Sequence, residues 1–190
     1  MKRESAPIRL DVVDFTENAA SQSGVESTAN YPRLAAELVP QSVHAAVDAG
    51  EPPSLAWHAD GERRTGADGS SVPWLHVRAE ADVSLVCQRC LTPVASTLAV
   101  DRWFRFAADE ATAEMEDELA DEDVLVVARD FDLHGLIEDE LLMEIPLTPR
   151  HDVCPVEVRL SAVDAGYEEG ENVPVNPFAV LGTLRTRKPE

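Results

Sequence analysis

One segment of the chain reads Val77-Arg78-Ala79-Glu80-Ala81-Asp82-Val83-Ser84-Leu85-Val86-Cys87-Gln88-Arg89-Cys90. Apolar residues occupy every second position from Val77 to Leu85, and charged or hydroxyl side chains lie between them. Because successive side chains of a strand point to opposite faces, this alternation predicts a β-strand with one face on a core. The strand runs directly into two cysteines that are separated by two residues.

A second alternation begins beyond these cysteines. Its apolar positions share one parity and are Val94, Leu98, Val100, Phe104 and Phe106. This pattern predicts a strand that returns antiparallel to the first. The residues between the two strands, Cys87 to Leu91, then form a tight turn at the tip of a hairpin, which we call the cysteine knuckle.

Weaker patterns surround the hairpin. Asp132 is a good helix cap, and the apolar spacing behind it predicts a helix over residues 132–145 that Pro146 ends. A proline at position 32 predicts a short helix that continues to Leu38. Strands are predicted at 8–15, 54–59, 72–76 and 124–127, a loop at 18–30, and turns at Asp60-Gly61 and Asp68-Gly69.

These elements predict an α+β fold with an antiparallel sheet of four to six strands, flanking short helices and the Cys-x-x-Cys hairpin knuckle. The chain has 190 residues, which is enough for one domain with its own core. We expect that domain to span residues 1–160 and to include an acidic loop at 108–123. A flexible linker at 161–175 would follow, and residues 176–190 would form a helical tail that docks on a partner or folds back on the domain.

The charge balance is strongly acidic, with 36 Asp and Glu against 16 Lys and Arg and a formal net charge of −20. Such a surface repels phosphate backbones, so tight autonomous binding of RNA is disfavoured. The acidic loop is interpreted as a solvated segment, or as an arm that docks on a basic partner such as a ribosomal protein. An odd number of cysteines and the lack of an apolar leader or membrane span predict a cytoplasmic location.

The cysteines carry the clearest chemical signal. Cys87 and Cys90 form one pair of soft ligands, and His151 and Cys154 form another with the same spacing. Three thiolates and one imidazole are an ordinary ligand set for structural zinc, so these four residues predict a zinc site that the fold would assemble. Two alternatives stay open at this point, which are reduced thiols without metal and thiol–disulfide chemistry.

Several segments together resemble the bacterial YceD family, whose members are described as large ribosomal RNA subunit accumulation proteins. The resemblance runs in order from about residue 77 to 185, and the first 70 residues match only in general layout. Some relatives carry additional cysteine pairs where this chain has only His151 and Cys154. The segments that carry the resemblance are Cys87–Leu91, Ile137–Leu142, Ile145–His151, Cys154 and Asn176–Leu181.

The resemblance implies a non-enzymatic role in making or preserving the large-subunit ribosomal RNA. We expect it to work through a ribosomal protein or a precursor large-subunit particle. Two alternatives remain, which are a direct RNA-binding module and a thiol-dependent or metal-dependent enzyme acting on RNA. The residues expected to contact a partner or RNA are Arg89, Arg102, Trp103 and Arg105 on the hairpin and Asn176, Pro177 and Phe178 in the tail. For Trp103 an alternative stays open, which is that its ring covers a second face of the sheet.

Overall fold

A computed structural model describes residues 8–39, 54–66, 69–158 and 178. The predicted linker at 161–175 lies outside these residues, as does all of the predicted tail except Phe178. Contacts among the described residues group those up to Val156 into one compact unit.

The strands of the described chain are β1 (Arg9–Leu10), β2 (Ser21–Ser27), β3 (Ser54–Thr65), β4 (Ser71–Val86), β5 (Pro93–Ala107), β6 (Asp123–Val126) and β7 (Phe131–Asp132). Five of them form the main sheet in the order β2-β3-β4-β5-β6. All neighbours in this sheet are antiparallel except β5 and β6, which run parallel. A separate two-stranded ladder joins β1 to β7.

The helices are α1 (Val12–Glu17), α2 (Pro32–Glu37), α3 (Glu110–Asp117) and α4 (Leu133–Met143), with a short 3-10 turn at Thr28–Asn30. The predicted α+β class and the predicted helix behind Asp132 are therefore confirmed. The Asp132 carboxylate accepts a hydrogen bond from the Gly135 backbone N–H at 2.9 Å and so caps α4. No helix among the described residues is long and apolar enough to cross a bilayer.

One face of the sheet carries the core. The odd-numbered residues of β4 from Leu75 to Leu85 are buried, as the alternation predicts, and the even-numbered Leu98, Val100, Phe104 and Phe106 of β5 meet them. Helix α4 covers this face with Leu133, Ile137 and Leu141, all of which are fully buried. The register between β4 and β5 runs from Trp74 opposite Arg105 to Val86 opposite Pro93, so the hairpin is long and ends at the cysteines.

The prediction of an opening strand at 8–15 is wrong beyond Leu10. The Asp11 side chain accepts hydrogen bonds from the backbone N–H groups of Val13 and Asp14, which starts α1 instead. An aspartate that can cap a helix competes with the strand pattern of the apolar residues around it.

Residues 18–30 were expected to form a loop, but Ser21–Ser27 forms the edge strand β2. Its side chains are mostly exposed and polar, so the sequence lacks a strand signal. Pairing with β3 decides the conformation, because backbone hydrogen bonds do not require apolar side chains. At Gly24, β2 packs closely against the Trp57 side chain of β3, because a Cβ atom at this position would lie 2.8 Å from the indole nitrogen.

The turn predicted at Asp60-Gly61 is also wrong, because both residues lie within β3. The Phe15 ring of α1 packs directly on Gly61, where a Cβ atom would lie 2.5 Å from the ring. Glycine is thus required for a close approach between helix and sheet rather than for a turn. The strands predicted at 54–59 and 72–76 are confirmed but are parts of the much longer β3 and β4.

The segment predicted as an acidic loop contains helix α3. Asp109 caps it by accepting a hydrogen bond from the Thr112 backbone N–H at 2.9 Å. Ala113 is buried against Ala107 and Val124, which gives the helix a small apolar contact. Capping and this contact offset the repulsion among the acidic side chains.

Glu138 is a buried carboxylate that joins α4 to α2. It accepts hydrogen bonds from the backbone N–H groups of Arg33 (2.7 Å) and Leu34 (3.2 Å), at the start of α2, and from the Arg33 side chain.

We expect Glu138→Gln to lower the free energy of unfolding by about 1–3 kcal/mol, because the amide would present N–H groups to these donors. Urea denaturation measures the change. The matched control is Glu144→Gln, at the exposed end of the same helix, and an equal effect of both variants would contradict the expected role of Glu138.

Glu140 is buried on α4, and its carboxylate lies 3.9 Å from the Arg102 side chain. Burial raises the pKa of Glu140 above its ordinary value of 4.5, although Arg102 opposes the shift. A carboxyl whose pKa is higher in the folded than in the unfolded state destabilises the folded protein as the pH rises from the unfolded-state pKa to the folded-state pKa. Glu140→Gln should therefore raise the melting temperature at pH 7 and make no difference below pH 4.5. A variant that is less stable at pH 7 would show that attraction to Arg102 outweighs burial.

Candidate metal centre

The cysteine knuckle is closed by backbone hydrogen bonds. The Leu91 N–H donates to the Cys87 carbonyl at 2.9 Å, and the Cys87 N–H donates to the Thr92 carbonyl at 3.0 Å. Leu91 adopts a left-handed conformation, with φ of 60°, that turns the chain back toward β5. Both cysteine side chains consequently face the same side of the turn.

A second segment, residues 149–154, docks on the knuckle. The Gln88 N–H donates to the Pro149 carbonyl at 2.8 Å. The Arg89 side chain donates to the carbonyl oxygens of His151 (2.8 Å) and Asp152 (3.2 Å). Its Nε also donates to the Cys154 Sγ at 3.0 Å, so Arg89 ties the two segments together.

This docking brings the four predicted ligands into one cluster. The Sγ atoms of Cys87, Cys90 and Cys154 and a ring nitrogen of His151 all lie within 4.8 Å of one another. Cys87 is fully buried and the other three residues are partly buried. The cysteines form no disulfide. The sequence therefore predicted a set of residues that the fold does assemble.

The hydrogen bonding of His151 leaves one ring nitrogen available to a metal. Its Nε2 lies 2.9 Å from the Pro93 carbonyl oxygen, which can only accept, so Nε2 carries a proton. In the neutral ring Nδ1 then holds a lone pair, and Nδ1 lies 3.5 Å from the Cys90 Sγ. A backbone carbonyl that fixes the tautomer is the usual support for a metal-binding histidine.

Hydrogen bonds to the sulfurs of Cys87 and Cys90 lower the pKa values of these two thiols. Burial opposes ionisation of Cys87, but backbone N–H groups of Cys90, His151 and Arg89 hydrogen-bond to its sulfur and lower its pKa to about 5. A hydrogen bond with Thr92 lowers the pKa of Cys90. Burial raises the pKa of Cys154, and hydrogen bonding with Cys87 raises the pKa of His151. The surroundings of Cys87 and Cys90 thus favour the thiolate, which is the form that binds metal.

The sequence pattern did not reveal the supports of this cluster. Thr92 is a local partner of the Cys90 sulfur, two residues away in the chain. The Pro93 carbonyl and the Arg89 side chain hold His151 and Cys154 in place through contacts between segments far apart in the chain. Beside the cluster lies an open groove of about 440 Å³, lined by Arg89, Val94–Ser96, Pro146 and Thr148–Asp152.

The residues of β5 that were predicted to contact a partner or RNA do not share one face of the sheet. Arg102 points toward α4 and pairs with Asp123 and Glu140, whereas Trp103 and Arg105 lie on the opposite face of β5. Arg105 pairs with Glu116 at 3.1 Å. Phe178 is exposed, and Asn176 and Pro177 lie outside the described residues.

Trp103 belongs to an aromatic cluster on the outer face of the sheet. His76 stacks on it with ring centroids 4.2 Å apart, and the Arg64 guanidinium lies 3.9 Å from its centroid. Trp74 meets it edge to face at 6.4 Å. The indole is therefore already engaged by side chains of its own sheet.

Comparisons with known proteins agree with the resemblance seen in the sequence. The chain is 26% identical over 189 residues to a protein of Haemophilus influenzae named "Large ribosomal RNA subunit accumulation protein YceD", covering 98% of this chain and 100% of the relative. No solved structure matches. Residues 75–185 match the family described as "Large ribosomal RNA subunit accumulation protein YceD". This match spans more than half of the chain, which therefore belongs to the YceD family.

Proposed function

We propose that this chain is a non-enzymatic cytoplasmic factor that supports accumulation of the large-subunit ribosomal RNA through protein partners. The observation that carries the proposal is the family match over residues 75–185, which includes the whole metal centre. The name of the H. influenzae relative, similar along nearly its full length, points to the same process.

The distribution of charge supports action through proteins rather than direct binding of RNA. Affinity for nucleic acid comes largely from Lys and Arg side chains that neutralise phosphates. Among the described residues, most arginines are already held by carboxylates of the same chain. These are Arg9, Arg33, Arg63, Arg64, Arg78, Arg102 and Arg105.

A direct RNA-binding role is the second candidate, because Arg89 and Arg150 both line the groove beside the cysteines. Arg150 has no hydrogen bond or ion pair to another described residue and is free to meet a phosphate. However, Arg89 is bound to Cys154 and to two carbonyl oxygens, and Asp152 lies in the same groove. This favours a structural role for Arg89.

We further propose that Cys87, Cys90, His151 and Cys154 hold a structural zinc ion. Three sulfurs and one nitrogen suit tetrahedral zinc, which would place the ligand atoms about 3.7 Å apart with Zn–S bonds of about 2.3 Å. The cluster, within 4.8 Å, needs only a modest contraction to reach that geometry. Protein side chains would occupy all four coordination positions of the zinc ion and leave none for water or substrate. A zinc site of this kind is structural rather than catalytic.

The zinc proposal predicts about one zinc ion per chain in untagged protein purified without chelator. Cys87→Ser and Cys154→Ser change one ligand in each segment, and both should lose the metal and lower the melting temperature. His58→Gln is the control for loss of metal, since His58 pairs with Asp60 away from the cluster and its substitution should leave the zinc content unchanged. Less than about a tenth of an equivalent in the wild-type protein would rule out the site.

The functional proposal predicts that cells lacking the protein contain less mature large-subunit ribosomal RNA relative to the small-subunit RNA. Quantifying both RNAs with and without a complementing copy of the gene measures the effect.

Affinity purification of the protein at low salt should recover precursor large subunits or a ribosomal protein. Purified protein that binds bare ribosomal RNA with nanomolar affinity, lost as salt rises, would instead favour the direct RNA-binding role. Turnover of RNA by the purified protein would contradict a non-enzymatic factor.

A further inference from the structure

Helix α3 turns two large apolar side chains toward solvent. Met115 is 64% exposed and Leu119 is 87% exposed. The Ala120 N–H donates to the Glu116 carbonyl at 3.0 Å, so the helical turn continues past the end of α3 and includes Leu119. Residues four apart are neighbours on one face of a helix, and Ala111, which is also exposed, lies four residues before Met115. We call Ala111, Met115 and Leu119 the outer stripe.

The folded chain gains little from this orientation of α3. The helix meets the sheet through Ala113, which packs against Ala107 and Val124. A surface helix normally turns its large apolar side chains toward the core and its polar ones toward solvent. In α3 a small alanine faces inward, whereas Met115 and Leu119 face outward. Apolar side chains spaced four apart on an exposed helix face are the arrangement by which a helix inserts into an apolar groove of another protein.

Unpaired carboxylates accompany the outer stripe. The segment from Asp109 to Asp123 contains nine acidic residues and no basic residue. Four of these carboxylates serve the fold, because Asp109 and Asp117 accept backbone hydrogen bonds and Glu116 and Asp123 pair with arginines of β5. The other five form no hydrogen bond or ion pair with another residue in the described part of the chain, and they are Glu110, Glu114, Glu118, Asp121 and Glu122.

Two of the unpaired carboxylates lie directly beside the stripe. Glu118 follows Met115 by three residues and Glu114 follows Ala111 by three, and residues three apart are neighbours on a helix surface. A partner that buried the stripe would therefore bring the rim of its groove close to these carboxylates. Lys or Arg side chains on that rim would be attracted, whereas the phosphates of RNA and the same acidic segment of a second copy would be repelled. The charges of this helix itself thus select a basic protein.

We propose that the outer stripe inserts into an apolar groove of a basic protein of the large ribosomal subunit, whose Lys and Arg side chains pair with the free carboxylates of α3. This inference rests on the proposed function, because it names the surface through which a protein partner is bound. Methionine suits such a contact, since its flexible side chain adapts to the shape of the groove.

The first test shortens the apolar side chains of the stripe in the full-length protein. Met115→Ala combined with Leu119→Ala should weaken binding to individually purified large-subunit ribosomal proteins by about tenfold or more for the tightest binder. Both residues are exposed and alanine is the best helix former, so the melting temperature should stay the same or rise. The matched control is Met143→Ala combined with Leu147→Ala, at exposed positions on and just after α4, which should leave the affinity unchanged.

The second test separates the charges of α3 from the net charge of the chain. Glu114→Gln combined with Glu118→Gln should weaken the same interaction about fivefold at low salt and have little effect at high salt, where the attraction is screened. Glu37→Gln combined with Glu80→Gln removes the same charge from exposed positions on α2 and β4, and it should leave the affinity nearly unchanged. Equal effects of the two pairs would overturn the proposal, because the attraction would then come from the whole chain.

Other occupants of the stripe predict different results. A wild-type dimer that the double alanine variant converts to monomer would assign the stripe to a second copy, and selective loss of binding to ribosomal RNA fragments would assign it to RNA. Tighter binding after Arg185, Arg187 and Lys188 are changed to glutamine would assign it to the basic end of this chain. Each of these results overturns the proposal, as does equal binding by the wild type and the double alanine variant. If no ribosomal protein binds while cells lacking the protein still lose large-subunit RNA, the stripe proposal fails and the role in RNA accumulation stands.

Discussion

The pairing of β4 with β5 is the constraint on which the rest of the structure depends. Its register places the buried residues of both strands on one face, where α4 covers them, and places the cysteines at the open end. A shift by one residue would turn the apolar side chains of one strand toward solvent. The core and the Cys87–Cys90 knuckle are thus positioned by the same ladder of hydrogen bonds.

The cluster of three cysteines and one histidine joins this hairpin to a segment far along the chain. Residues that follow α4 return to the knuckle, where Arg89 binds their carbonyl oxygens and the Cys154 sulfur. A shared metal would strengthen a contact that hydrogen bonds already define. The cluster therefore links the hairpin to the segment that follows α4.

Several arginines in the described part of the chain form ion pairs that connect elements of the fold. Arg33 joins α2 to α4, Arg102 joins β5 to β6, and Arg105 holds α3 against the sheet. Each pair spans separate elements, so these three arginines hold parts of the fold together.

The sequence by itself determined the hairpin, α4 and the identity of the four clustered residues, because period-two alternation, an aspartate cap and ligand spacing are local signals. It missed β2, the full length of β3 and the start of α1. The polar residues of β2 adopt a strand because β3 offers backbone partners, and Gly61 is a glycine within β3 because the Phe15 ring packs on it. Only the tertiary structure decided that residues 149–154 reach the knuckle and that Arg102 and Trp103 face opposite sides, since hydrogen bonds and packing between distant segments leave no periodic trace in the sequence.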